Sequence, residues 1–234
     1  MNSGAVTFRN NESFGVGTLT LNGGTVSSSG SGTRTLANDL TVTADASIAG
    51  ESGRHYIFSS GNIGGTGGTL GIANTTGSGV MSVGFAGTGF DFGGDIDLGA
   101  LTELRSQNVT GSQTFSGAIS GAGDLQAEGG GILQLDGLNS YTGLTTIASG
   151  TLKLGSTGDL VNSALGSASS GTDVQSGTTL DLNGNSVLTA EALVLRGTGV
   201  GAAGALINSG GAASYAGDIS LATASSIGGS GNLT

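Results

Sequence analysis

Cysteine, proline and tryptophan are absent from the 234 residues, and there is one histidine. A cysteine-free chain crosses an oxidising compartment without mispaired disulfides and suits a reducing one equally well, so the absence does not fix a compartment. The single histidine, His55, excludes multi-histidine metal sites. Positive charge is scarce too: six basic residues, Lys153 the one lysine, stand against 16 acidic ones for a net charge of −10. Nucleic acids and anionic membrane surfaces both demand clustered cations, so neither is expected as a partner. No stretch approaches the roughly 20 apolar residues of a membrane-spanning helix. Residues 1–10 lack a basic segment followed by an apolar one, so no signal peptide is read there. Aromatic residues make up 4%, and no segment sustains the i, i+3, i+4, i+7 spacing of a helix.

What the chain has in excess is glycine, 49 residues of it. Glycine loses the most backbone freedom on folding, so this many is a cost unless turns or close backbone approaches need them. A fold that turns very often needs both. A disordered linker is the competing reading, but disordered chains are poor in apolar residues and rich in charge. Here 36% of residues are hydrophobic, 9% are charged, and the mean hydropathy is +0.18.

The apolar residues come in bursts of three to six, ended by Gly, Asn, Asp or Ser, the signature of short strands. Three units recur. Leu-x-Leu occurs at Leu19/Leu21, Leu133/Leu135, Leu152/Leu154, Leu180/Leu182 and Leu193/Leu195. Residues two apart share a strand face, so each unit points two leucines inward. Three copies run into Asn22-Gly23, Asp136-Gly137 and Asn183-Gly184, where left-handed turns are expected. An aromatic–glycine–isoleucine unit spans Phe92–Ile96, Phe115–Ile119 and Tyr215–Ile219, and Gly-x-Gly-x-Leu spans Gly15–Leu19, Gly121–Leu125 and Gly229–Leu233. Leu180, Leu193, Leu206 and Ile219 stand 13 apart.

Self-similarity of this kind implies stacked repeats, because one unit cannot bury its own apolar face. An antiparallel sandwich or barrel would use the Asn-Gly pairs as hairpin turns but wants bulkier aromatics. The expectation is an all-β fold, a right-handed parallel β-helix of irregular coil length, running as one array over residues 1–234. With about 20 residues per coil it would hold on the order of ten to twelve coils and be about 50 Å long. Threonine and serine ladders are expected outside.

Chemistry is thinly represented. Calcium repeats need glycines followed by an aspartate; Gly64–Leu70 has Thr69 in the aspartate's place, and Gly87–Asp91 is a single degenerate copy. Asp91, Asp95 and Asp97 form a local acidic group, read as solvated coil edges ahead of a cation site. No cofactor is expected. A polysaccharide-cleaving β-helix enzyme is the main alternative, needing Asp91, Asp95, Asp97, His55 and an arginine to converge in one groove. A trimeric phage tail-spike fragment is another.

The segment Gly129–Gly155 reads GGGILQLDGLNSYTGLTTIASGTLKLG. Its ordered residues Gly131, Leu133, Leu135, Asn139, Tyr141, Gly143, Ile147, Gly150, Leu152 and Leu154 closely resemble the autotransporter-associated β-strand repeat, with a lead-in from Phe115 that sets the unit at residues 115–155. The bottom-up reading is two inward-facing strands joined by an Asn-x-Tyr-x-Gly corner. There Asn139 bonds backbone, Tyr141 caps the core end and Gly143 makes the tight turn. The resemblance implies a bacterial passenger region at the cell surface or outside it, anchored in the outer membrane through a C-terminal region absent here. Ile227–Leu233 repeats the spacing of Ile119–Leu125 and then stops, so the chain is expected to be part of a longer one. The expected role is a non-catalytic, adhesin-like stalk meeting a host or environmental surface or glycan, through polar faces or the loops Ser27–Arg34 and Ser156–Ser176.

Overall fold

The computed structural model describes residues 3–11, 13–59, 62–65 and 67–234. Short strands dominate them, with one turn of 3-10 helix at Val200–Ala202. Each strand returns in the same direction one coil later, so the pairing is parallel apart from one small hairpin. The result is a parallel β-solenoid of about ten turns, as expected.

Three sides build the rod. The long face stacks nine strands from Gly32–Leu36 to Ile219–Ser225. A second face stacks six, from Ala5–Phe8 to Ile119–Gly121. The third carries a three-strand sheet from Leu19–Asn22 to Ile63–Gly64 and then a seven-strand sheet from Phe90–Phe92 to Ile227–Gly229. Coil length varies: 20 residues separate the paired Leu125 and Thr145, whereas 27 separate His55 and Ser82. Loops at the corners absorb the difference while the ladders keep register.

Alternation explains the core. In Thr151–Leu154 and Asp95–Leu98 every second side chain is buried, as a strand's two-residue period requires. Like stacks on like: Leu133, Leu152, Leu180 and Leu206 are successive partners on the third face. All the phenylalanines lie at or before Phe115, and several meet, Phe58 with Phe85 at 5.3 Å and Phe90 with Phe115 at 5.7 Å between ring centres. Beyond them the core is aliphatic, apart from Tyr141 and Tyr215. Outside, the expected hydroxyl ladders appear on the second face, Thr7 with Ser27 at 3.0 Å and Thr25 with Ser47 at 2.7 Å.

The repeated sequence units prove less phase-locked than their spacing implies. The 13-residue series alternates between two faces, Leu180 pairing with Leu206 and Leu193 with Ile219, so 13 is half of a 26-residue coil. Ile96 and Ile119 stack on the second face, whereas Ile219 lies on the long face. The Gly-x-Gly-x-Leu copies turn three different corners, yet Gly15, Gly121 and Gly229 all adopt positive φ. The unit is a portable corner. Asn183-Gly184 makes the expected left-handed turn, but neither Asp136 nor Gly137 has positive φ.

Candidate functional site

The family-like segment fills one coil and starts the next. Ile132–Leu135 lies on the third face, Thr145–Ile147 on the long face, and Thr151–Leu154 returns to the third, with Leu133 opposite Leu152 and Leu135 opposite Leu154. Leu133, Leu135, Asn139, Tyr141, Ile147, Leu152 and Leu154 are all buried. The stretch read as a corner is the coil's whole second side. Ser140 N donates to Ile119 O at 2.8 Å and Thr142 N to Gly121 O at 2.9 Å, continuing that face without a regular strand.

Asn139 bonds backbone on both sides. Its Oδ1 accepts from Ile119 N at 2.8 Å and its Nδ2 donates to Ala164 O at 2.7 Å. Tyr141 differs from its expected place at a core end: it lies wholly inside, its hydroxyl 2.6 Å from Thr145 Oγ1. Gly143 differs as well. Its φ is not positive; a side chain there would collide with Gly123 O in the coil before, so the glycine serves close coil-to-coil approach. Gly150 does turn, at φ 74°, and a side chain at Gly131 would strike Asn108.

The residues weighed for catalysis or cation binding do not gather. His55 is on the long face, Asp91 on the third, and Asp95 and Asp97 on the second. His55 Nδ1 bonds Ser82 Oγ, and burial, with Arg105 acting the same way, holds the imidazole below its ordinary value. Among the described residues no group of three or more His, Asp or Glu is placed to hold a metal ion; Thr66, within the degenerate Gly64–Leu70 copy, lies outside them. Several carboxylates instead tie coils together. Asp45 Oδ1 accepts from Thr69 N at 2.8 Å, Asp95 from Ala118 N at 2.9 Å and Asp124 from Leu144 N at 2.8 Å. Asp91 accepts from Ser116 Oγ at 2.6 Å.

The exposed surface has shallow depressions, one on the second face with a polar lining and one beside Val16 and Ala37 with a more apolar one. The depression on the second face is lined by Thr25, Asp45, Ser47, Thr69, Gly71 and Asp97. On the long face Arg105 bridges Glu103 and Glu128, and Arg196 pairs with Asp173. Burial pushes the Glu103 carboxyl up, against the pull of Arg105. Of the two loops proposed for contact, Ser27–Arg34 is mostly strand, since Thr25–Ser28 and Gly32–Leu36 overlap it. Ser156–Ser176 contains an antiparallel hairpin, Asn162–Ser163 with Gly166–Ser167, and then the strand Thr172–Val174. The hairpin tip, Ala164-Leu165, is buried, while Leu160 and Val161 just before its first strand are exposed.

A 65-residue stretch is 40% identical to the adhesin BmaC autotransporter of Brucella suis biovar 1 (strain 1330). The chain resembles an autotransporter adhesin. The match covers 25% of this chain and 2% of that protein's length. No family model matches the sequence, and no solved structure matches the fold. The β-solenoid and the repeat-like coil agree with a passenger-like region.

Two features went unread in the sequence. Asn108 and Asn208, both buried, each donate to the carbonyl three residues on and to one 24 residues on, from Nδ2 to Gly111 O and Ile132 O, and to Gly211 O and Asn232 O. The shared Asn-x-x-Gly is the signal that could have found them. The other is Glu191, fully buried in an alternating run with Val187, Thr189 and Leu193. Ala190 and Ala192 flank it, so the apolar pattern of the sequence did not mark the carboxylate as inward.

Proposed function

We propose that the chain is a non-catalytic stalk or adhesin-like passenger segment, displayed at or beyond the cell surface as part of a longer protein. The observation that carries this is the long face: nine strands stacked in parallel from Gly32 to Ser225, the register shifting once, between Leu195 and Gly197. Such backbone bonding resists bending along the rod, while coil-to-coil carboxylates and hydroxyl ladders cover its sides. The likeness to an adhesin supports display outside the cell. Contact with a host or environmental surface or glycan falls to the polar faces, whose Thr, Ser and Asp side chains suit hydrogen bonding to hydroxyl-rich partners. The spread of His55, Asp91, Asp95 and Asp97 over three faces favours this role over glycan cleavage.

Cells carrying the chain on an outer-membrane anchor are compared with cells carrying the anchor alone. The expected outcome is greater retention on glycan-coated or abiotic surfaces, with no reducing ends released from polysaccharide. Equal retention combined with reducing-end release would overturn the proposal in favour of an enzyme.

A further inference from the structure

Among the described residues no cation pairs with Glu191. Its Oε1 accepts from Thr172 Oγ1 at 2.6 Å, while Oε2 is buried and unpartnered. The Ser163 hydroxyl also bears on the carboxyl, and Glu191 in turn acts on Tyr141 and Tyr215, whose hydroxyls are raised by burial and by its charge. Tyr215 OH and Thr189 Oγ1 are buried and unpartnered too. No ion pair reaches this group; the arginines in salt bridges, Arg105 and Arg196, hold Glu103, Glu128 and Asp173. A buried carboxylate so placed is costly when charged and tolerable when protonated.

The walls around Glu191 differ in how firmly they are held. Thr172 sits in a long-face strand paired on both sides, and Tyr215 is bridged to Val187. The wall carrying Ser163 is the hairpin, a separate sheet stacked on the irregular second side at Asn139–Tyr141, whose own ladder has two residue pairs. It is tied down by Asn139 N to Ser163 O at 2.9 Å, Asn139 Nδ2 to Ala164 O at 2.7 Å, Ser167 N to Tyr141 O at 3.0 Å, Thr145 Oγ1 to Leu165 O at 3.4 Å, Ser170 Oγ to Thr142 O at 2.7 Å and Gly158 N to Ser186 O at 3.0 Å, and Ala164 and Leu165 are buried in the core. Of these walls it is the one that carries no strand of the three face sheets, so its departure gives up the contacts just named, keeps the pairings between face strands and lets water reach the carboxyl.

We propose that the hairpin at residues 158–170 is a proton-controlled flap, closed over a protonated Glu191 and released when that carboxyl ionises. Burial pushes the carboxyl up to about 7 from the ordinary 4.5. The closed form therefore binds a proton more tightly than the open one. Closure is fully favoured below about 4.5, weakens as pH rises between the two values, and levels off above about 7.

Hydrogen exchange of the 234-residue chain, corrected for intrinsic rates, tests this. Opening of the hairpin amides, Ser167 N among them, is expected to rise about 70-fold from about pH 5 to about pH 8, while amides of Ile132–Leu135 keep their protection. Glu191→Gln, which cannot ionise, is expected to hold the change within about threefold. Equal hairpin protection at both pH values, the same rise in Glu191→Gln, or a rise shared by Ile132–Leu135 would overturn the flap. If the variant does not fold, a carbon-13 titration of Glu191 in the native chain decides. A midpoint near 7 supports the proposal, and one in the ordinary carboxyl range refutes it.

Discussion

At the scale of single residues, buried polar side chains hold one coil to the next. Asn139 is the clearest case, because one amide group satisfies an N–H of the preceding coil and a carbonyl of the hairpin that follows. Asn139→Ala would leave both groups buried and unpaired, at about 1–3 kcal/mol each, so a loss of about 2–6 kcal/mol is expected in urea unfolding. Asp97→Asn, on an exposed position of a second-face strand, is expected to stay within about 0.5 kcal/mol. A small loss for Asn139→Ala would show that water replaces the amide. Asn139 was legible because its spacing within a recognisable repeat pointed to a backbone-bonding asparagine. Gly143 was legible as a required glycine but not in its reason, since one letter serves both positive φ and close approach. Glu191 was missed because glutamate is expected at the surface, and nothing in sequence announces that the alternation turns it inward.

At the scale of the strand, three to six residues suffice because a strand inside the array is paired on both edges. The inward positions do the stabilising, and the stack Leu133–Leu152–Leu180–Leu206 is their regular form. Leu152 lies between two leucine neighbours and is fully buried. Leu152→Ala removes contacts to both and leaves a cavity that rigid ladders close poorly, so about 2–5 kcal/mol is expected to be lost. Its outward neighbour in Lys153→Gln is expected to change stability by less than about 0.5 kcal/mol. Comparable losses for the two would mean that the alternation in this strand is not what holds it. Strand existence and facing were readable from Leu-x-Leu, since period two is a local property. Which face a strand joins was not: corner units are interchangeable, and the copies at Gly121 and Gly229 turn different corners. Face assignment depends on loop lengths summed around a whole coil.

At the scale of the molecule, each coil touches only its neighbours, so stability adds along the rod and is lowest at its ends. The outermost strand of the long face, Ile219–Ser225, pairs with Leu193–Gly197 on one edge and is the last in its sheet. Ile219, Leu221 and Ile227 are exposed there, beside unpaired backbone N–H and C=O groups. An open, apolar strand edge is a template for pairing with another chain. The 234-residue chain on its own is therefore expected to self-associate as concentration rises, and hydrogen exchange is expected to be fastest in Ala5–Phe8 and Ile219–Gly229, slowest near Leu125–Leu154. Leu221→Lys puts a charge on that edge without touching the buried column, so sedimentation velocity is expected to show it monomeric at concentrations where the parent chain associates. A parent chain that stays monomeric throughout, or a variant that associates equally, would place the weak point of the rod elsewhere than at this edge.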